Sequence, residues 1–116
     1  ILEGIAFTER YAYDLLQKAG AKLSQIIYTT GGGGKSKVLS QIRANILNRP
    51  VAITNTTGSD MGAAFLSFAS HTKSGEDLTS GLAAINISHV EIFQPKPDEG
   101  LSSNYQKYLT LISPYI

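Results

Sequence analysis

Four consecutive glycines, Gly31 to Gly34, join a β-branched, aromatic run to an amphipathic helical stripe. A glycine run costs backbone entropy and a tight turn needs only one glycine, so four in a row imply positive φ or a close backbone approach. Both needs arise where a bulky ligand sits at the carboxyl end of a strand. The N–H groups at the start of the next helix would face that ligand, and the helix dipole would favour negative charge there. A glycine-rich turn with no ligand is the alternative.

Around the glycines the chain alternates helix and strand. Residues 1 to 19 place Leu2, Ile5, Ala6, Ala12, Tyr13, Leu16 and Ala19 at helical spacing, and Gly20 is a natural stop. Residues 24 to 30 read as a strand. A second helix is expected from about Lys35 to Leu47, with Val38, Leu39, Ile42 and Ile46 on one stripe; Asn48 suits a left-handed exit and Pro50 prevents continuation. Val51 to Thr54 reads as a second strand, and Met61 to Ser70 as a third helix with Ser59 or Asp60 as its cap. Glu76 to Ala84 suggests a short fourth helix, Val90 to Phe93 an extended stretch, and Leu101 to Ile112 a last helix with Tyr105, Tyr108, Leu109 and Ile112 on one face.

This order is the α/β pattern, strands buried between helical layers. Two clear strands make a marginal sheet with open edges, so further strands are expected before Ile1. The chain opens on Ile1 within an apolar helical pattern and its one methionine is Met61, so it reads as a piece of a longer protein. The 116 residues have no room for two full cores. With 42% hydrophobic and 16% charged residues, the chain is neither disordered nor a coiled coil. No stretch approaches the roughly 20 apolar residues of a membrane span, so it reads as soluble. A net charge of +1 gives no basis for a nucleic-acid or membrane-surface partner. The absence of cysteine excludes disulfides and thiolate metal sites and is compatible with a reducing compartment.

Three phosphate-loop templates can be set on Thr29-Thr30-Gly31-Gly32-Gly33-Gly34-Lys35-Ser36. A Walker A loop fits Gly34-Lys35-Ser36, but its first glycine falls on Thr29. The dinucleotide fingerprint fits Gly31 and Gly33, then meets Ser36 in place of its third glycine. It also wants an acidic residue near the end of the next strand, which here ends Ile53-Thr54-Asn55. A protein-kinase glycine loop lies in a hairpin, whereas a helix follows here. Each template fails on a required feature.

A fourth pattern fits in three separate blocks. Gly31-Gly32-Gly33-Gly34-Lys35-Ser36, then Gln41-Ile42-Arg43-Ala44-Asn45-Ile46-Leu47-Asn48-Arg49-Pro50-Val51, then Gly62-Ala63-Ala64-Phe65-Leu66, together resemble the C-terminal domain of FGGY-type carbohydrate kinases. Leu2-Glu3-Gly4-Ile5-Ala6-Phe7 is similar to the helix before that loop, and Tyr105 with Tyr108 to the family's last helix. The resemblance covers essentially residues 1–116 and points to xylulokinase-like, pentulose-kinase-like members.

The resemblance implies a partial ribonuclease-H-like, actin-like ATPase domain: short strands with helices packed on them, the ATP-binding half of a two-domain protein. The N-terminal domain and the start of this domain would lie outside the chain. ATP and a small sugar would sit in the cleft between the domains. By position, Gly31, Gly32 and Gly33 would lie against the adenosine and α-phosphate side of ATP, with Ser36 in reach of the nucleotide. Lys35 would touch phosphate or be a solvated helix-start lysine. Gly62-Ala63-Ala64 would serve packing at the interdomain hinge. The intact enzyme would move the γ-phosphoryl of MgATP to a hydroxyl of a pentulose or related polyol. The aspartate base would belong to the N-terminal domain, leaving no catalytic residue and no metal ligand here. Magnesium would be held mainly through the phosphates, and the chain alone would be inactive. A cytoplasmic enzyme is implied, and a homodimer is compatible. Two departures stand out. Ala44-Asn45 replaces the usual Ala-Asp, and Thr56, Thr57 and Ser59 stand where an acidic residue is common. The alternatives are a non-catalytic nucleotide-binding or interaction domain of the same fold, a gluconate- or glycerol-type kinase, and a dinucleotide-binding domain.

Other residues read as structural. His71 and His89 lack a carboxylate or cysteine at ligand spacing. Ser36 has no nucleophile elbow around it. Asp60 suits capping, and Asp98-Glu99 reads as a solvated turn after two prolines. Tyr11, Tyr13, Tyr105, Tyr108 and Tyr115 read as core or domain-contact aromatics.

Overall fold

The computed structural model describes residues 1–54, 59–72, 89–96 and 98–116. Local stop signals set the first helix, α1 (Leu2–Lys18). Gly20 adopts φ +94°. The N–H groups of Gly20 and Ala21 return to the carbonyls of Gln17 and Leu16, each at 3.0 Å. Those are the paired bonds of a Schellman cap, which only a residue tolerant of positive φ closes without strain.

Strand β1 (Ile27–Thr29) leads into the glycine run, which is a single helical turn, α2 (Gly31–Gly34), and not an open loop. Gly31 carries φ +78°, the conformation that demanded glycine. Helix α3 (Lys37–Leu47) starts two residues later than the expected Lys35. The break falls at Ser36, which is extended (φ −84°, ψ 108°) and accepts the Leu39 N–H on its hydroxyl at 3.2 Å. Asn48 closes α3 in the left-handed conformation, φ 51°. Strand β2 (Val51–Thr54), helix α4 (Ser59–Thr72), strand β3 (His89–Phe93), helix α5 (Glu99–Ile112) and a 3₁₀ turn (Ser113–Tyr115) complete the order.

Asp98 and Glu99 are not a free turn. Asp98 Oδ1 accepts the Gly100 N–H at 2.9 Å and starts α5, with Glu99 in its first turn. An aspartate suits a turn and a helix cap equally, and the helix behind it decides. The expected fourth helix over Glu76 to Ala84, the loop at 55–58 and any capping by the Ser59 or Asp60 side chains lie outside the described residues.

Among the described residues the sheet has three strands in the order β1-β2-β3, so the extended stretch near Val90 is a true strand. β1 runs parallel to β2, pairing Ile27 with Val51, Tyr28 with Ala52 and Thr29 with Ile53. β3 runs antiparallel to β2, pairing Phe93 with Val51 and Ile92 with Ala52, with a register shift between Ile53 and Thr54. β2 is central, and three of its four residues are buried, as expected of a strand covered on both faces.

Helix α3 lies between the sheet and helices α1 and α5. Ala44 packs with Ile27 and Val51, bordered by Leu47, Tyr13 and Phe93. Ile46 packs instead with Ala6 and Phe7 of α1 and Tyr105 of α5, with Ile42, Leu101, Tyr108 and Leu109 around them. The stripe expected on α1 is only partly core. Leu2, Ile5 and Leu16 are exposed, whereas Phe7, off that stripe, is 6% exposed. The neighbours α1 meets, α3 and α5, lie on its adjacent face. Val38 and Tyr115 are likewise exposed, while the tyrosine face of α5 is packed as read.

Candidate functional site

Because β1 and β2 are parallel, their carboxyl ends lie on one edge of the sheet, and the glycine turn stands on that edge. In α/β sheets this is where ligands sit. The turn has two faces. Gly34 is buried, and a Cβ built on it would stand 3.3 Å from Thr29 Oγ1 and 3.4 Å from the Thr29 carbonyl carbon. Gly32 and Gly33 are exposed, and a Cβ on either would meet nothing within 4 Å. Their backbone is therefore open to a ligand on the outer face while Gly34 is seated on the inner one.

The seat is built from distant parts of the chain. Thr29 is 6% exposed at the end of β1. Its carbonyl accepts the Thr54 hydroxyl at 3.3 Å, tying the ends of the two parallel strands together. Its own hydroxyl accepts Arg43 Nη1 at 2.7 Å. Arg43 also donates from Nε and Nη2 to the two carboxylate oxygens of Glu9, at 2.7 and 2.6 Å. This is a bidentate pair with side-chain exposures of 13% and 23%. The Glu9 hydrogen bond raises the Arg43 pKa above its ordinary value and outweighs the opposing effect of burial. The Tyr13 phenol beside them is raised by burial first and by Glu9 next, with Arg43 opposing.

Of the residues singled out by sequence, Gly31, Gly32 and Gly33 form the outer part of this turn. Ser36 is half-buried and already engaged as the cap of α3, yet a serine hydroxyl that accepts one bond still has its hydrogen to donate. Lys35 is exposed at the end of α2. Its neighbour Lys37 pairs with Glu91 of β3 at 3.3 Å in an exposed position. Gly62, Ala63 and Ala64 are exposed on α4. Sequence reasoning missed Glu9, Thr29, Gly34 and Arg43. Gly34 and Arg43 stood inside the matched blocks without a role, and nothing local joins Arg43 to Glu9, 34 residues away.

Asn45, one of the two departures, has a visible task. Its Oδ1 accepts Gln41 Nε2 at 2.9 Å and the Lys96 N–H at 2.8 Å, holding α3 to the segment after β3. Both bonds need an acceptor only, which aspartate also supplies. Where α1 meets α5, Tyr105 donates to Asp14 Oδ2 at 2.5 Å under the Arg10 guanidinium, which lies 4.0 Å from the ring centroid. Among the described residues no group of three His, Cys, Asp or Glu side chains is placed to hold a metal ion.

Known proteins resemble this arrangement. The FGGY family of carbohydrate kinases, C-terminal domain, matches residues 1–71. The xylulose kinase of Bacillus subtilis (strain 168) is 32% identical over 116 residues, covering 99% of this chain and 22% of that protein. The crystal structure of xylulose kinase from Rhodospirillum rubrum superimposes with a TM-score of 0.69 at 25% identity, over 98% of this chain and 24% of that one. The Plasmodium falciparum glycerol kinase structure with ADP gives a TM-score of 0.70 at 22% identity, over 97% of this chain and 22% of that one. The fold is thus the actin-like, ribonuclease-H-like one of these kinases. The chain spans about a fifth of the length of the curated xylulose kinase, 22%.

Proposed function

The chain belongs to the FGGY family of carbohydrate kinases as its C-terminal domain, and on that premise we propose that it is the ATP-binding half of a sugar kinase. The observation that carries the reading is the two-faced glycine turn. Gly34 is anchored on Thr29, while the backbone of Gly32 and Gly33 stands open at the carboxyl edge of the parallel pair. A nucleotide can approach that backbone only where no side chain intervenes. A glycerol kinase of the same fold has been solved with ADP, which supports the choice of ligand.

In this reading Gly31, Gly32 and Gly33 lie along the adenosine and α-phosphate, Ser36 donates its free hydroxyl hydrogen to the nucleotide, and Lys35 reaches toward phosphate. ATP supplies the phosphoryl group, with Mg2+ held mainly through its phosphates. The acceptor is a pentulose or related polyol, and the aspartate base comes from the N-terminal domain of the full-length, cytoplasmic enzyme. This chain contributes orientation, the part of catalysis that comes from holding reactants in line.

Calorimetric titration of the full-length protein with MgADP, MgATP and NAD tests the reading. Binding of the adenine mononucleotides without NAD is expected, with Gly32→Val weakening MgADP at least about tenfold by placing a branched side chain on the open face. NAD binding in the absence of ADP binding would sink it. A coupled ADP-release screen over xylulose, glycerol and gluconate then identifies the acceptor. Nucleotide binding with no turnover on any polyol would mark a non-catalytic relative. Residues 1–116 alone are expected to phosphorylate nothing.

A further inference from the structure

A run of four glycines has no side chains with which to hold itself, so its order must come from what it rests on. Among the described residues, the atoms nearest the inner face of its buried glycine, Gly34, belong to Thr29, which is gripped from three directions. Thr54 bonds its carbonyl, Gly34 lies against its hydroxyl, and Arg43 fixes that hydroxyl at 2.7 Å. Arg43 is in turn immobilised by the two-point contact with Glu9 of α1. Three N–H directions of one guanidinium are used at once, a geometry that a lysine ammonium on its flexible stem does not reproduce. The pair is also largely withdrawn from water, so each charge depends on the other.

We infer that Arg43, held by Glu9, is a positioning residue for nucleotide binding: through the Thr29 hydroxyl it sets the height of the glycine turn, so that α1 and α3 determine how the open backbone of Gly32 and Gly33 is presented. The inference rests on the nucleotide reading of that turn. Arg43 itself lies behind the turn, linked to it through Thr29. A turn whose seat is loosened must be ordered again by the ligand, and that ordering cost appears as lost affinity.

The test is MgADP titration of the full-length protein, with thermal unfolding of each variant alongside. Arg43→Met and Thr29→Val, which keeps the shape of threonine and removes its hydroxyl, are each expected to weaken MgADP about tenfold. The double variant should be no weaker than the worse single one, because both remove the same link. Thr29→Ser keeps the hydroxyl and should stay within about twofold of wild type. Wild-type affinity in Arg43→Met and Thr29→Val, with only their melting temperatures lowered, would reduce the network to a structural strut and overturn the inference. If Arg43→Met does not fold, the Thr29→Val and Thr29→Ser pair decides alone. Gly32→Val separates the two levels. Weakened binding in Gly32→Val beside unaffected Arg43 and Thr29 variants refutes only the positioning role. Unaffected binding in Gly32→Val refutes the nucleotide reading and the inference with it.

Discussion

Replacing Tyr105 by phenylalanine removes one oxygen from the junction of α1, α3 and α5 and leaves the ring. The ring is 2% exposed, with centroids 5.8 Å from Phe7 and 6.2 Å from Tyr108, so packing and the Arg10 contact survive the change. What is lost is the phenol's bond to Asp14 Oδ2 at 2.5 Å. A hydrogen bond to a charged group contributes about 1.5–3 kcal/mol. Asp14 is only half-buried and lines a small polar cleft with Arg10, Gln17 and Arg49, where water can replace the lost donor. The expected loss is therefore in the lower part of that range, about 1.5–2 kcal/mol. The pH dependence tests that the fold holds the phenol protonated. Burial first, and Asp14 next, hold the folded Tyr105 phenol well above the ordinary tyrosine range. Its contribution is thus complete below the unfolded value, near pH 10, and is lost as pH rises toward the folded one. While the folded phenol keeps its proton, wild type should lose about 1.4 kcal/mol between pH 9 and pH 11 that Tyr105→Phe does not lose. Urea denaturation of both proteins at pH 8, 9, 10 and 11 measures the difference. A gap that stays constant across that range would show that the folded phenol is not held protonated, and a variant as stable as wild type at pH 8 would show that the Asp14 bond stabilises nothing.

Two further substitutions probe α3. Ser40 is fully buried and its hydroxyl has no hydrogen-bond partner among the described residues, so Ser40→Ala should raise stability by about 1 kcal/mol, seen as a higher urea midpoint at unchanged slope; a loss would show that the hydroxyl is satisfied. Asn45→Asp keeps the acceptor for Gln41 and Lys96 and should stay within about 0.5 kcal/mol of wild type, whereas Asn45→Ala should cost about 1–2 kcal/mol. Equal stability of the two variants would deny Asn45 its tether.

Residue by residue, the sequence was most legible where one or two dihedrals carry the message. The exits at Gly20 and Asn48 need positive φ, and the residue types that tolerate it stand there. The strand character of Ile27 to Thr29 and Val51 to Thr54 follows from their side chains alone. The glycine run marked the candidate site for the same reason, although its form as a helical turn ended by the Ser36 cap was not legible. The stripe on α1 misled because periodicity shows which residues share a face and not which face meets a neighbour.

By itself, then, the sequence determined the α/β order, the helix stops, the glycine turn after β1 and the family. The tertiary structure decided that β3 pairs antiparallel beside β2, that Tyr105 meets Asp14 across 91 residues, and that Thr29 is held by Arg43 and through it by Glu9. The physical reason is range. Backbone dihedrals and propensities act within a few residues and leave a mark in the local string. Strand pairing and a shared guanidinium join segments whose proximity exists only once the chain has folded.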